Sequence, residues 1–328
     1  MAPDTAMHVA IPAIVAPEAF ARRDAAAPIA RIGGDTMGTS WSALVVAPPP
    51  GLETALWQAI DSVIMSMSQW RPDSALSRFN RSPIGEWHDL PADLAKVLAA
   101  ALAVSSTSDG AFDPACGALA DLWGFGPPGA RGDLPRLREV AGALARSGAH
   151  QLELFGHRAR RHAGVTLDLS GIAKGYAVDR LAATCRAAGV HDFLVEIGGE
   201  FVGAGIRPDG EPWWVEVEAP PGLPASLRIA LHDLAVATSG DYRRFIARNG
   251  RRLGHSIDPR TGWPIENGIV SATVIAADCM TADAWATALT VLGPDAAMAA
   301  AQRHTLAAQL RAGDGREWIT PALAAMLA

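Results

Sequence analysis

Two apolar periodicities alternate along this chain, and that alternation constrains its fold more than any single motif. Helical spacing runs through Leu52, Leu56, Ile60, Ile64 and Met67, through Leu94, Val97, Leu98, Ala101 and Leu102, and from Ile172 to Cys185 before Gly189. Between these lie segments with strand-like alternation or short apolar runs: 40–46, 151–155, 165–169, 193–197, 213–217 and 270–275. Helix and strand signals intermingle, no repeat is visible, and the Pro/Gly-rich breaks at 48–51, 124–132 and 219–224 are short. The expectation is an α+β fold, a single domain over 31–328 with mixed sheets flanked by helices.

With 49% apolar residues in 328, the chain can bury a continuous core. Its net charge is −6 and its 28 Lys and Arg are scattered along the chain, which argues against nucleic acid as a partner. Cys116, Cys185 and Cys279 are odd in number, with no paired spacing, and read as buried free thiols. Residues 1–30 are rich in Ala and Pro, lack a basic segment and a cysteine, and carry Pro12 and Pro17 within their apolar stretch. They are expected to form a flexible leader. With no run of about 20 apolar residues to span a bilayer, the chain as written is expected to be soluble and cytoplasmic, a periplasmic location being the alternative.

Chemistry is sought where Gly combines with Asp, His, Lys or Thr. Asp168, Ser170, Gly171, Lys174 and Gly175 occupy a strand end turning into a helix, where free N–H groups, the helix dipole and the lysine suit a phosphate. The plain alternative is a Lys174 paired with Asp168 or Asp179. Asp283 and Thr287 lie four residues apart on one helical face, with Met280, Leu289 and Leu292 as the opposing apolar side. A carboxylate and a hydroxyl are hard oxygen ligands that suit Mg²⁺; equally, the Asp answers the helix dipole and the Thr bonds back to a carbonyl. His255, three residues before Asp258, is a general base or only a substrate contact, with Asp258 capping the turn before Pro259. Gly198 and Gly199 depart from the spacing of a Rossmann dinucleotide loop, and the stretch from Thr238 to Tyr242 reads as a polar turn.

Taken in order, Met37-Gly38-Thr39, the stretch from Met67 to Ser74, Ser77 to Asn80, Asp109 to Pro114, Leu122 to Gly126, the 168–175 turn, Glu196 to Gly199, Thr238 to Tyr242, His255 to Pro259 and Ala282-Asp283-Ala284 resemble the ApbE family of FAD:protein FMN transferases. The resemblance covers about residues 31–295. It implies an enzyme that moves FMN from FAD to a threonine of an acceptor flavoprotein, releasing AMP. It also implies Mg²⁺ held by Asp283, Thr287 and the carbonyl of Gly171, and FAD held by Met37, Trp70, Ala111, Phe112, Asp113, Asp168, Lys174 and Ile257. Lys174 and His255 become the catalytic pair, His255 as base. Two other readings stand beside it: a FAD pyrophosphatase giving FMN and AMP, and a flavin-binding carrier without chemistry.

Overall fold

The computed structural model describes residues 7–241, 245–248 and 251–328. Its centre is an eight-stranded sheet in the order Glu317–Ile319, Ala307–Ala312, Ile269–Ala276, Leu234–Gly240, Glu200–Ala204, Phe193–Ile197, Thr39–Val46 and Ile29–Thr36. Every neighbouring pair in it is antiparallel. The fold is α+β, as expected, but the mixed pairing sits elsewhere, in a three-stranded sheet whose His8–Ala10 strand runs parallel to Leu227–Leu231.

Strand periodicity divides the main sheet between two cores. Phe193, Val195, Ala235, Ala237 and Val274 face the larger core, while Leu194, Val236 and Ile275 face a smaller one built with Trp213, Ile229 and Leu231 of the three-stranded sheet. The helices Leu52–Met67, Ala92–Thr107, Ala173–Ala187 and Cys279–Leu292 lie on the larger core, and the first three follow their apolar spacing closely. The Cys279–Leu292 helix departs from its expected two-sided character. Asp283, Trp285 and Thr290 are buried along with Ala282, Ala288 and Leu289, because the helix is enclosed between the sheet and the Ala173–Ala187 helix.

Three expectations need correction. Residues 165–169 alternate inward and outward but form no strand, since their hydrogen bonds run to helix residues and a turn rather than to another strand: Leu167 exchanges two bonds with the Asn80 amide, Asp168 N–H reaches Pro114 and the Thr166 carbonyl takes Gly117 N–H. Thr238–Gly240, expected in a turn, ends the Leu234–Gly240 strand opposite Ile269–Ala276, with the Thr238 and Thr273 hydroxyls 2.9 Å apart; Tyr242 lies outside the described residues. Residues 7–30 are not a free leader. Ala10 is fully buried, Ile11 N–H bonds Met326, and Pro17–Arg22 is a helix.

Candidate active site

Two helices bring their N-termini to one place. Gly175 packs so closely on the Cys279–Leu292 helix that an added Cβ would lie 2.3 Å from the Cys279 carbonyl and 2.8 Å from Asp283 Cβ. At this crossing Asp283, 6% exposed, accepts the Gly175 N–H on Oδ2 at 2.9 Å, and no described group donates to Oδ1. Burial raises the Asp283 pKa, and the nearby Lys174 and the Gly175 N–H oppose it only in part. An anion so placed lacks full compensation, which a cation would supply.

Thr287 is one turn further along the same helix. The hydroxyls of Thr107, Thr184 and Thr290 each donate back to a carbonyl four residues earlier. Thr287 makes no such bond among the described contacts, and its Oγ1 would lie 3.0 Å from a Cβ built on Gly171. Asp283 does not cap its own helix either: Asp278 does, accepting Thr281 N–H at 2.8 Å. Neither group of the Asp283/Thr287 pair is therefore spent within its own helix, as the plain alternative requires. An oriented carboxylate, an uncommitted hydroxyl and a tight glycine backbone fit a hard divalent cation that keeps part of its shell for water and phosphate. The described residues hold no cluster of three or more His, Cys, Asp or Glu side chains of the kind that binds softer metals.

Lys174 stands in the first turn of its helix and donates to Glu200, not to Asp168 or Asp179. Burial alone would lower its pKa, but the Glu200 and Asp283 carboxylates outweigh this and hold the ammonium above its usual range. Glu200 is 3% exposed and follows the Gly198-Gly199 turn, so the glycine pair that lacked a dinucleotide spacing delivers a buried carboxylate to the site instead. Sequence reading missed this role because the pair forms across 26 residues. Asp168 caps its own turn through Ser170 N–H at 2.8 Å and takes a hydrogen bond from Gln69 at 3.1 Å, a contact also missed.

The remaining residues of the FAD set border this cluster unevenly. Phe112 is buried and touches the Gly171 backbone, 3.2 Å from a Cβ placed there. Ala111 is buried beside it, whereas both Asp113 oxygens accept backbone N–H groups, of Ala115 and Ala149, and burial raises its pKa; that carboxylate braces the loop. Trp70 follows Gln69 and is 54% exposed, its ring open to solvent. Met37 adopts φ +50° in the turn between the two terminal strands of the sheet, beside an open hollow of about 490 Å³ lined by residues 35–40. Gly198 adjoins that turn through a hydrogen bond to Ser40.

His255 and Ile257 belong to a neighbouring group. Ile257 packs with Trp123, Val140 and Phe125, and the His255 ring meets Phe125 edge-on at 6.2 Å. The carboxylate that orients His255 is Asp241, 3.4 Å from Nδ1, and Gly254 leaves room for it. Asp258 instead holds Arg260 through the backbone and guanidinium, confirming only its turn-capping role. The end of the Gly117–Trp123 helix and the turn after it link the two groups: burial and the charge of Asp168 raise the pKa of Asp121, while Phe125 reaches His255.

Known proteins share this arrangement of elements. Residues 37–310 match the ApbE family. A FAD:protein FMN transferase of Vibrio cholerae serotype O1 is 36% identical over 283 residues, 84% of this chain and 85% of that protein. The crystal structure of Pseudomonas stutzeri flavinyl transferase ApbE, apo form, superposes with a TM-score of 0.85 at 35% identity, over 92% of this chain and 97% of that one. The flavin transferase ApbE from Vibrio cholerae superposes at 0.86 and 34%, over 92% and 100%. A family match across most of the sequence, joined to relatives above 30% identity along nearly their whole length, means that this chain belongs to the ApbE family.

Proposed function

We propose that this chain transfers the FMN half of FAD to a threonine hydroxyl of an acceptor flavoprotein, releasing AMP, with Mg²⁺ held by Asp283, Thr287 and the Gly171 carbonyl. The observation that carries it is the uncommitted Thr287 hydroxyl beside Gly171, one turn from the buried and oriented Asp283. The names of the relatives supply the reaction: FAD:protein FMN transferase.

Bound Mg²⁺ would neutralise pyrophosphate charge as the bond between the two phosphates breaks. Lys174, kept protonated by Glu200 and Asp283, adds a fixed positive charge where the leaving oxygen turns anionic, so it favours the transition state over bound FAD. The positive end of the Ala173–Ala187 helix dipole acts in the same sense. His255, oriented by Asp241, takes the proton from the threonine oxygen as it bonds to the FMN phosphorus. AMP departs with the electron pair of the broken P–O bond. Met37, Trp70, the Ala111 to Asp113 segment, Asp168 and Ile257 border the space for FAD, and the exposed face of Trp70 offers stacking surface.

The test is incubation with FAD, Mg²⁺ and a threonine-bearing acceptor peptide, followed by mass spectrometry and AMP quantification. The reading requires a peptide heavier by one FMN phosphoryl group for each AMP released. Free FMN with unlabelled peptide would make the chain a pyrophosphatase, and FAD binding without AMP release would make it a carrier; either result overturns the proposal.

A further inference from the structure

The two helices that meet at Asp283 are tied by a second carboxylate. Asp179, on the Ala173–Ala187 helix, accepts the Cys279 N–H on Oδ1 at 2.8 Å and the Met280 N–H on Oδ2 at 2.9 Å. These are the first two amides of the Cys279–Leu292 helix, which have no acceptor within it. In the opposite direction, Asp283 accepts the Gly175 N–H near the start of the Ala173–Ala187 helix. Each helix therefore terminates the other, and the relation is reciprocal in sequence: Asp179 lies four residues after Gly175, and Asp283 four residues after Cys279.

We infer that Asp179 is a positioning residue for the proposed metal site, fixing the depth and rotation of the helix that carries Asp283 and Thr287. The inference rests on the metal assignment made above. Asp278 alone holds Thr281 N–H, one residue further along, and cannot replace two bonds at the helix tip. Without Asp179 the first turn of the Cys279–Leu292 helix loses both hydrogen-bonded anchors to its neighbour, and Gly175 is left with its hydrogen bond to Asp283 and its packing on the Cys279 carbonyl. The Asp283 carboxylate would then carry the helix crossing as well as its ligand role. Mg²⁺ requires near-octahedral oxygens at closely defined distances, so a small rotation there weakens binding.

Asp179→Ala and Asp179→Asn test this with Mn²⁺ titration of the FAD-loaded protein, followed by electron paramagnetic resonance, with no acceptor present. Asp179→Ala is expected to weaken Mn²⁺ about 10–100-fold, the range seen when a partner supporting a ligand is lost. The KM for FAD at saturating Mg²⁺ should stay within about threefold of wild type, because uniform substrate binding is untouched. Asp179→Asn keeps one acceptor oxygen and should fall between, and it decides the matter if the alanine variant does not fold. A lowered melting temperature with unchanged Mn²⁺ affinity in either variant would make Asp179 a plain structural cap and overturn the inference. Asp283→Ala, titrated alongside, separates the two claims: lost Mn²⁺ binding there with normal binding in the Asp179 variants sinks only the positioning role. Retained Mn²⁺ binding in Asp283→Ala sinks the metal assignment and this inference with it.

Discussion

Thr287 and Thr290 share a helix and a residue type but have opposite commitments. Thr290 is buried and donates to the Ala286 carbonyl, while Thr287 makes no described hydrogen bond and faces Gly171. Thr287→Val should therefore leave the melting temperature unchanged while raising the Mg²⁺ needed for half-maximal AMP release about tenfold or more. Thr290→Val should do the reverse, losing about 1 kcal/mol of stability with little change in metal demand. If the two variants behave alike, Thr287 is not a ligand. Substitution of His255 by alanine should cost about 10²-fold in kcat if the imidazole is the base. Asp241→Asn, which weakens orientation of the ring, should give a smaller loss in the same parameter. A His255→Ala enzyme within tenfold of wild type would reduce that residue to a substrate contact.

Among the elements, the helix crossing is the feature under most physical constraint. Gly175→Ala would drive a methyl into the Cys279 carbonyl and Asp283, so the helices must separate, at a cost of about 1–3 kcal/mol. Calorimetry should show this as a fall in melting temperature, together with lost metal dependence; a neutral outcome would mean the crossing is looser than described. Asp179 adds a pH signature. Burial outweighs its two N–H partners and pushes its pKa up to about 6 from an ordinary 3.8. The folded state thus binds the proton more tightly than the unfolded chain, so its contribution is fully present below about pH 4 and is lost as pH rises towards 6. The stability advantage of wild type over Asp179→Asn should shrink between pH 4 and 7 by about 2–3 kcal/mol. A gap independent of pH would show that the carboxylate is not desolvated. The Leu52–Met67 and Ala173–Ala187 helices were legible because apolar residues recur at helical spacing with a glycine flanking each. Residues 165–169 misled because burial alone produces alternation, whether the backbone partner is a strand or the Asn80 amide. Glu200 and Asp241 escaped notice for a different reason: their partners, Lys174 on a helix and His255 in a turn, arrive through tertiary packing, which local pattern does not encode.

At the scale of the molecule, the eight-stranded sheet supports three sides of the site: the Met37 turn at one edge strand, the glycine turn before Glu200 in the middle, and the strand that leads to Asp241. Residues 7–22 are built into the far side, where Ala10 is buried and Ile11 bonds Met326. Deleting residues 7–16 should lower the melting temperature by several degrees, since it removes a strand and opens the smaller core, costing about 1–3 kcal/mol. The KM for FAD should not change, because the main sheet separates this segment from the helix crossing; a raised KM would contradict that separation. Among the described residues no helix is long and apolar enough to cross a membrane. The site residues named from sequence fall into two joined groups rather than one, the first around Asp168, Gly171, Lys174, Asp283 and Thr287, the second around His255 and Ile257. The central claim is that the diphosphate of FAD meets a divalent ion at the first group, and anomalous diffraction from crystals soaked with FAD and Mn²⁺ addresses it directly. One Mn²⁺ peak is expected within coordination distance, about 2.2 Å, of an Asp283 oxygen, Thr287 Oγ1 and a pyrophosphate oxygen. A diphosphate bound without metal at that crossing, or a metal peak away from Asp283 and Thr287, would contradict it.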